Sequence, residues 1–367
     1  MKIICDGLDL SEAVLKVSKA AAVKTTNPVL EGIKLEAKKD TLTLTATDLE
    51  IAIEKKIRAD VVREGEVLVP ARYFSEFVKK LNNQQIELDV NEKKQLNIKY
   101  MDSEGILQCL PVEEYPKIGK VEDADHFIML QPELKDLINK TVFAVSQEDS
   151  RPILKGCLWE IKDCKISAVA LDGYRLSLVH KALEKQTGEF TVIVPARSLT
   201  EIGKMLADDN KKAVTVCIYK NYLKVEIDNT IVTSRLLEGE FINYQQIIPT
   251  EFTTRVTIDR KQFENGLERA SIVSKGDKNN LVKFDIRDKI LSLTSASEIG
   301  NLKENLTVSL RGKDVLIAFN ARYLSDCLRA LSDDFITINL NSPVAPITIK
   351  PADGEEFLFL ILPVRLL

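Results

Sequence analysis

Val69-Pro70-Ala71-Arg72-Tyr73-Phe74, Val194-Pro195-Ala196-Arg197-Ser198-Leu199 and Phe319-Asn320-Ala321-Arg322-Tyr323-Leu324 are three versions of one phrase. Arg72, Arg197 and Arg322 stand at equal spacings of 125 residues. The apolar positions that follow keep register: Phe74, Phe77, Val78 and Leu81 match Leu199, Ile202, Gly203 and Leu206, then Leu324, Cys327, Leu328 and Leu331. That i, i+3, i+4, i+7 spacing is one buried stripe of an amphipathic helix. A strand precedes each helix: Glu66–Val69, Thr191–Val194 and Val315–Ala318. Chance does not produce such agreement three times, so the chain is an internal triplication.

Working outward, a second helix opens each repeat. Leu10, Val14, Val17 and Ala21 correspond to Leu134, Ile138, Thr141 and Val145, then to Phe263, Leu267, Ala270 and Ser274. Ser11 is the expected N-cap of the first. Thr41–Ala46 alternates strictly and turns at Thr47-Asp48 into Ile51–Ile57. Lys165–Ala170 does the same through Asp172-Gly173 into Arg175–His180, and Ile290–Ser295 is the third copy, with a longer turn through Glu298 and Gly300. Alternating segments at Ile86–Val90, Leu96–Tyr100, Val214–Ile218, Leu223–Ile227, Ile336–Leu340 and Ile347–Ile349 complete the set. Two helices on antiparallel strands in about 120 residues make an α+β domain. The joints at Gly119–Asp125 and Ile247–Thr250 divide the chain into residues 1–125, 126–249 and 250–367. Both are too short to be flexible tethers.

Composition excludes several functions. With 367 residues, 45% of them hydrophobic and 29% charged, the chain can fill and cover real cores. The longest apolar run, Phe357 to Val364, is far short of a membrane span, and Asp6 comes too early for a signal peptide. The six cysteines lack paired spacing and read as small buried hydrophobes in a reducing, cytoplasmic compartment. Two histidines, His126 and His180, stand apart from each other and from any Cys-x-x-Cys, so no metal site is expected. No phosphate-cradling glycine loop and no nucleophile elbow is present. Neither an enzyme nor a cofactor is suggested.

The net charge of −4 argues against nucleic acid until it is divided. The six helical stretches expected at 11–24, 71–83, 132–147, 196–212, 259–278 and 320–334 sum to +5, leaving −9 elsewhere. The acidic average conceals a basic helical layer. Lys16, Lys19, Lys24, Arg72, Lys79, Lys80, Lys140, Arg197, Lys204, Arg269 and Lys275 are its candidate DNA-facing members, with Lys211, Lys212, Arg322 and Arg329 on the same helices.

At this point the residues resemble a known family. The triple Pro-Ala-Arg helix, Leu171-Asp172-Gly173-Tyr174-Arg175-Leu176, Glu238-Gly239-Glu240-Phe241 and the terminal Leu362-Pro363-Val364-Arg365-Leu366 are similar to the bacterial DNA polymerase III beta subunit, the replicative sliding clamp. The likeness runs along the whole chain. It implies a non-catalytic processivity factor of the replicative polymerase. Two chains would join head to tail as a homodimer whose six domains form a closed ring around double-stranded DNA, helices inside. The arithmetic agrees: twelve helices about 10 Å apart leave a hole near 28 Å, against roughly 9 Å for six. A duplex on the order of 20 Å wide fits only the larger. Basic helices would then give weak, sequence-independent phosphate contacts that permit sliding.

The resemblance also implies a peptide-binding pocket between the second and third domains. Leu154, Leu171, Gly173, Tyr174, Arg175, Leu176, Phe241, Ile242, Ile247, Val344, Leu360, Leu362, Pro363, Val364 and Arg365 would line it. Its ligands would be short glutamine-containing motifs with spaced leucine or phenylalanine, from the polymerase alpha subunit, the clamp loader and repair polymerases. The Asp172–Leu176 turn reads as less shared among the repeats than Pro-Ala-Arg, hence as site rather than scaffold. The C-terminal run reads either as a last strand or as a pocket wall. Ile242, Gln245, Gln246 and Tyr174 depart from the family pattern, as do Asn320 and Leu281 in the third repeat, which bears on peptide preference and not on the ring. The dimer contact is expected at the edge strand near Ile106 and Leu107 of one chain and at Ile272 and Val273 of the other, although both could be intradomain core. Two other readings remain: a three-repeat scaffold that uses the groove without encircling DNA, and an enzyme with an unrecognised site.

Overall fold

The computed structural model describes residues 1–81, 84–119, 125–274 and 280–365. They form two compact units. Unit 1 comprises Met1–Pro132, Glu184–Gly188 and Thr200–Leu236, and unit 2 comprises Glu133–Leu183, Glu189–Leu199 and Leu237–Leu367. The middle repeat is thus shared between them.

The triplication is visible in the helices. Gly7–Val17 (α1), Gln131–Val142 (α3) and Arg260–Ser274 (α5) each follow a strand and open a repeat, while Ala71–Val78 (α2), Ala196–Met205 (α4) and Ala321–Arg329 (α6) carry the Pro-Ala-Arg phrase or its Asn320 variant. Every stripe residue named for α4 and α6 is buried, as are Leu10, Val14 and Val17 of α1 and Phe263, Leu267, Ala270 and Ser274 of α5. Truncating one such leucine to alanine costs about 2–5 kcal/mol. Ala21, Leu81 and Val145 lie beyond the helix ends yet stay buried, because the chain leaves along the same face.

Three details of the sequence reading are corrected. Ser11 is not a cap: it sits buried inside α1, and Asp6 caps the helix by accepting the N–H groups of Leu8 and Asp9 at 2.8 and 3.2 Å. An aspartate one residue before the helix offers its carboxylate to the unpaired first-turn donors, which Ser11 cannot reach. The third-repeat hairpin is tight, with Ser297 paired to Gly300 across two residues. The cysteines are not uniformly buried. Cys5, Cys157 and Cys327 are, with burial pushing Cys5 and Cys157 up to about 12, but Cys164 is exposed in a turn.

The sheets show how the repeats join. In unit 1 a nine-stranded antiparallel sheet places Thr230–Arg235 of the middle repeat beside Ile51–Arg58 of the first. In unit 2 another places Phe357–Ile361 of the last repeat beside Arg175–Ala182 of the middle. Two smaller sheets remain. The five-stranded one in unit 1 ends at Ser103–Gln108, and the four-stranded one in unit 2 ends at Gly300–Thr307. By repeat correspondence, Ser103–Gln108 is the counterpart of Thr230–Arg235, and Gly300–Thr307 of Ile51–Arg58 and Arg175–Ala182. Among the described residues, these two strands alone lack the junction partner that their counterparts have.

Candidate functional site

The site in unit 2 is built on a turn. Asp172 accepts the N–H groups of Tyr174 and Arg175 at 2.9 and 3.0 Å, and its own N–H donates to the Arg175 carbonyl at 3.2 Å. Gly173 takes φ +92°, a left-handed conformation that costs glycine nothing, and no atom lies within 4 Å of where a Cβ would stand. The turn thus presents bare backbone to solvent.

Arg175 is turned inward. It donates to Asp172 at 2.9 Å and to Asp326 at 2.7 Å, and its guanidinium lies 4.8 Å from the Tyr323 ring centre and 5.4 Å from that of Phe143. Burial disfavours its charge, but the Asp326 hydrogen bond and the two carboxylates more than offset this and raise its pKa. With only 9% of its side chain exposed, Arg175 borders the apolar surface from within and braces the turn.

Around the turn lies an apolar surface. Leu154, Leu171, Leu176 and Leu360 are buried in one cluster, with Phe241 and Ile242 half-buried against it. Tyr174, Ile247, Val344 and Leu362 are exposed, and Tyr174 stacks on Tyr323 with ring centres 5.9 Å apart. Val344 lies in the loop after Phe335–Leu340, outside the cluster. Of the two readings of the C-terminal run, the last strand holds for its first part. Phe357–Ile361 is an interior strand, whereas Leu362 donates its N–H to the Tyr174 carbonyl at 2.9 Å and Val364 its own to Ala318 at 2.8 Å, carrying Pro363 and Arg365 past the turn. Leu366 lies outside the described residues.

The turn is more widely shared than its sequence suggests. In unit 1, Asp48 accepts the N–H groups of Glu50 and Ile51 at 3.0 and 2.9 Å, Leu49 takes φ +79°, and Arg235 donates its N–H to the Glu50 carbonyl at 2.8 Å. These reproduce the bonds of Asp172, Gly173 and Leu362 one for one. The turn remains less widely shared than Pro-Ala-Arg, since the third repeat has the tight Ser297–Gly300 hairpin instead, but in the first two repeats its backbone is scaffold and only its side chains differ. The signal was available in the two aspartates, each three residues before the strand it starts.

The basic candidates divide into several groups. The observed α-helices are shorter than expected and carry eleven basic and nine acidic side chains, so their net charge is +2. The missing positive charge sits just past helix ends: Lys19, Lys24, Lys79 and Lys80 are all exposed there, as Lys211 is beyond α4. Lys19, Lys79 and Lys80, within a turn of their helix ends, complement the helix dipole. Arg197 and Arg322 are exposed on their helices, and Lys16 is half-buried. Arg72, Lys204 and Arg269 pair with Glu76, Glu201 and Glu304. Lys212 bonds Asp228 at 2.9 Å, and Arg329 bonds Glu268 at 3.1 Å. Lys140 is corrected outright: it is buried, bonds Asp136 at 2.9 Å and lies over the Phe357 ring, which removes it from any phosphate. Lys275 lies outside the described residues.

At the open strands, Ile106 is 59% exposed and Leu107 half-buried, while Ile272 on α5 is 64% exposed and Val273 half-buried. The alternative that Ile106 and Ile272 belong to intradomain core does not hold.

Comparison with known proteins places these features in one lineage. Models of the DNA polymerase III beta subunit match in sequence order: the N-terminal domain over residues 1–119, the central domain over 129–243 and the C-terminal domain over 245–365. A protein named beta sliding clamp from Halalkalibacterium halodurans is 34% identical over 363 residues, covering 95% of each chain. The crystal structure of the DNA polymerase sliding clamp from Bacillus subtilis superposes with a TM-score of 0.96 at 31% identity, covering all of both chains. A sliding clamp from Pseudomonas aeruginosa bound to griselimycin superposes at 0.93 with 26% identity over the same full coverage. The three matched segments agree with the three repeats read from the sequence.

Proposed function

The chain belongs to the bacterial DNA polymerase III beta-subunit family, the sliding clamps, and from that premise we propose that it encircles duplex DNA as a closed ring of two copies. The observation that carries this is the pair of open strands. Each internal junction joins the last strand of one five-stranded set to the hairpin strand of the preceding repeat, antiparallel, with Ser234 opposite Ile51 and Ile361 opposite Arg175. Ser103–Gln108 and Gly300–Thr307 are the same two kinds of strand. Joined across two chains in the same register, they place Leu107 opposite Gly300 and Glu104 opposite Lys303, an exposed acid facing an exposed base. A head-to-tail contact forms a ring when its rotation closes, and the twelve-helix hole that fits a duplex sets that closure at two copies and six repeats.

Within that ring the role is non-catalytic. The domain at 1–125 carries Lys19, Lys24, Lys79 and Lys80 as exposed cations beyond its helices, that at 126–249 carries Lys211, and that at 250–367 carries Arg322 exposed on α6; together they centre DNA weakly and are screened by salt. The Leu171–Leu176 turn, the Phe241–Ile242 segment and the C-terminal run form the slot for short linear motifs of the polymerase, clamp loader and repair polymerases. An apolar anchor enters between leucines while bare backbone at Gly173 receives the peptide chain. The protein acts in the cytoplasm, on the nucleoid during replication.

Retention on DNA tests the ring. Clamp loaded on nicked circular DNA should stay bound through gel filtration and be lost once the circle is cut; equal retention on both forms defeats the proposal. Charge reversal tests the register. Glu104→Lys should shift sedimentation toward monomer, and adding Lys303→Glu should restore the dimer. For the slot, deletion of Pro363–Leu367 should abolish binding of a glutamine-, leucine- and phenylalanine-containing peptide while the dimer persists.

A further inference from the structure

We propose that unit 1 carries a second peptide-binding pocket, beside the Asp48–Ile51 turn, that takes an extended peptide whose aromatic side chain is flanked by carboxylates. A cavity of about 310 Å³ opens there, large enough for one or two side chains. Leu49, Ile118, Tyr219 and Tyr222 line it. Leu49 is 58% exposed, and Tyr219 and Tyr222 are exposed too. Three large apolar residues left open around one concavity are a recognised mark of an interaction surface.

The frame matches that of the unit 2 turn, but the walls differ in two ways. Where the unit 2 site has Leu176 and Leu360, the junction register places Ala52 and Thr233 here, and both line the cavity. Smaller walls make room for an aromatic ring. Where unit 2 has Leu362, this pocket has Arg235, and Lys117 and Lys220 stand with it in the lining against one carboxylate, Glu50. The Lys220 ammonium sits 5.1 Å from the Tyr219 ring centre, which holds a cation beside an aromatic wall of the pocket. Excess positive charge around an apolar slot selects an acidic partner. A concavity of this volume holds one or two side chains, too little for a run of stacked bases, which favours peptide over single-stranded nucleic acid.

The test uses the full-length protein and a fluorescein-labelled peptide, Glu-Asp-Phe-Asp-Leu, followed by anisotropy at low salt. Binding should weaken about tenfold in Lys220→Glu and in Tyr222→Ala, two surface variants whose melting curves should match the parent. It should be unchanged when Pro363–Leu367 is deleted, and the reversed peptide Lys-Lys-Phe-Lys-Leu should not bind. The proposal is overturned if the acidic peptide fails to bind, if its binding ignores both unit 1 variants, or if a ten-nucleotide oligothymidylate displaces it at equal concentration. Failure of the unit 2 slot reads out separately, as a glutamine-containing peptide whose binding survives the deletion.

Discussion

The turns Asp48–Ile51 and Asp172–Arg175 share every backbone bond and almost no chemistry. Both aspartates accept two N–H groups, both second residues sit at positive φ, and both third carbonyls accept from the incoming strand. In unit 1 the fourth residue is Ile51, an uncharged side chain only 1% exposed. In unit 2 it is Arg175, held by two carboxylates and two rings. Repetition therefore supplies a rigid backbone frame, and divergence of the side chains on it supplies two different surfaces.

The largest expected effect follows from that fourth residue. Replacing Arg175 by the isoleucine of its counterpart leaves Asp172 and Asp326 facing one another without their cation, in a place where Asp172 is only 13% exposed. Removing one partner of a buried ion pair costs about 3 kcal/mol or more. Ile51→Val, which trims the counterpart by one methyl, should cost only about 1 kcal/mol. Urea unfolding of the two variants measures the contrast, and equal losses would show that Arg175 does not brace its turn.

The aspartates come next. Asp48→Ala removes an acceptor for two backbone N–H groups and should cost about 1 kcal/mol, as loss of a cap does. Asp172→Ala removes the same acceptor and also half of the Arg175 clamp, so it should cost about 2 kcal/mol. The extra loss should vanish when measured in the Arg175→Ile background, because coupling of this kind is shared by the pair. If it persists, the difference between the turns lies elsewhere.

How much of this was legible in the sequence depends on whether a feature is local. The stripe of Phe74, Leu199 and Leu324 and the strand alternations are local, and they gave the repeats, the α+β class and nearly every strand. The burial of Lys140 was not legible, since its neighbour Phe357 is more than two hundred residues away and no periodicity links them. The ion pair that holds Arg175 was not legible for the same reason: Asp326 belongs to another repeat. The helix ends were overextended because Lys79, Lys80 and the buried Leu81 continue the composition and the stripe of a helix past Val78, where α2 ends. The turn at Thr47-Asp48 was legible, but its bond-for-bond likeness to the Asp172 turn was not, because Leu49 and Gly173 look unlike although both take positive φ.

That likeness gives the smallest and most discriminating prediction. At φ +92° an alanine brings a Cβ into a conformation that costs about 1 kcal/mol, and the space around Gly173 is open, so no clash adds to it. Gly173→Ala should therefore destabilise unit 2 by about 1 kcal/mol. Leu49 already bears that strain at φ +79°. Leu49→Gly relieves it but frees the unfolded chain by a similar amount, and the half-exposed leucine gives up little burial. The two terms offset, and the net change should fall within about 0.5 kcal/mol. A neutral Gly173→Ala together with a strongly stabilising Leu49→Gly would mean that the two turns are strained differently despite their common bonds. Unequal strain would break the premise that repetition fixed the frame.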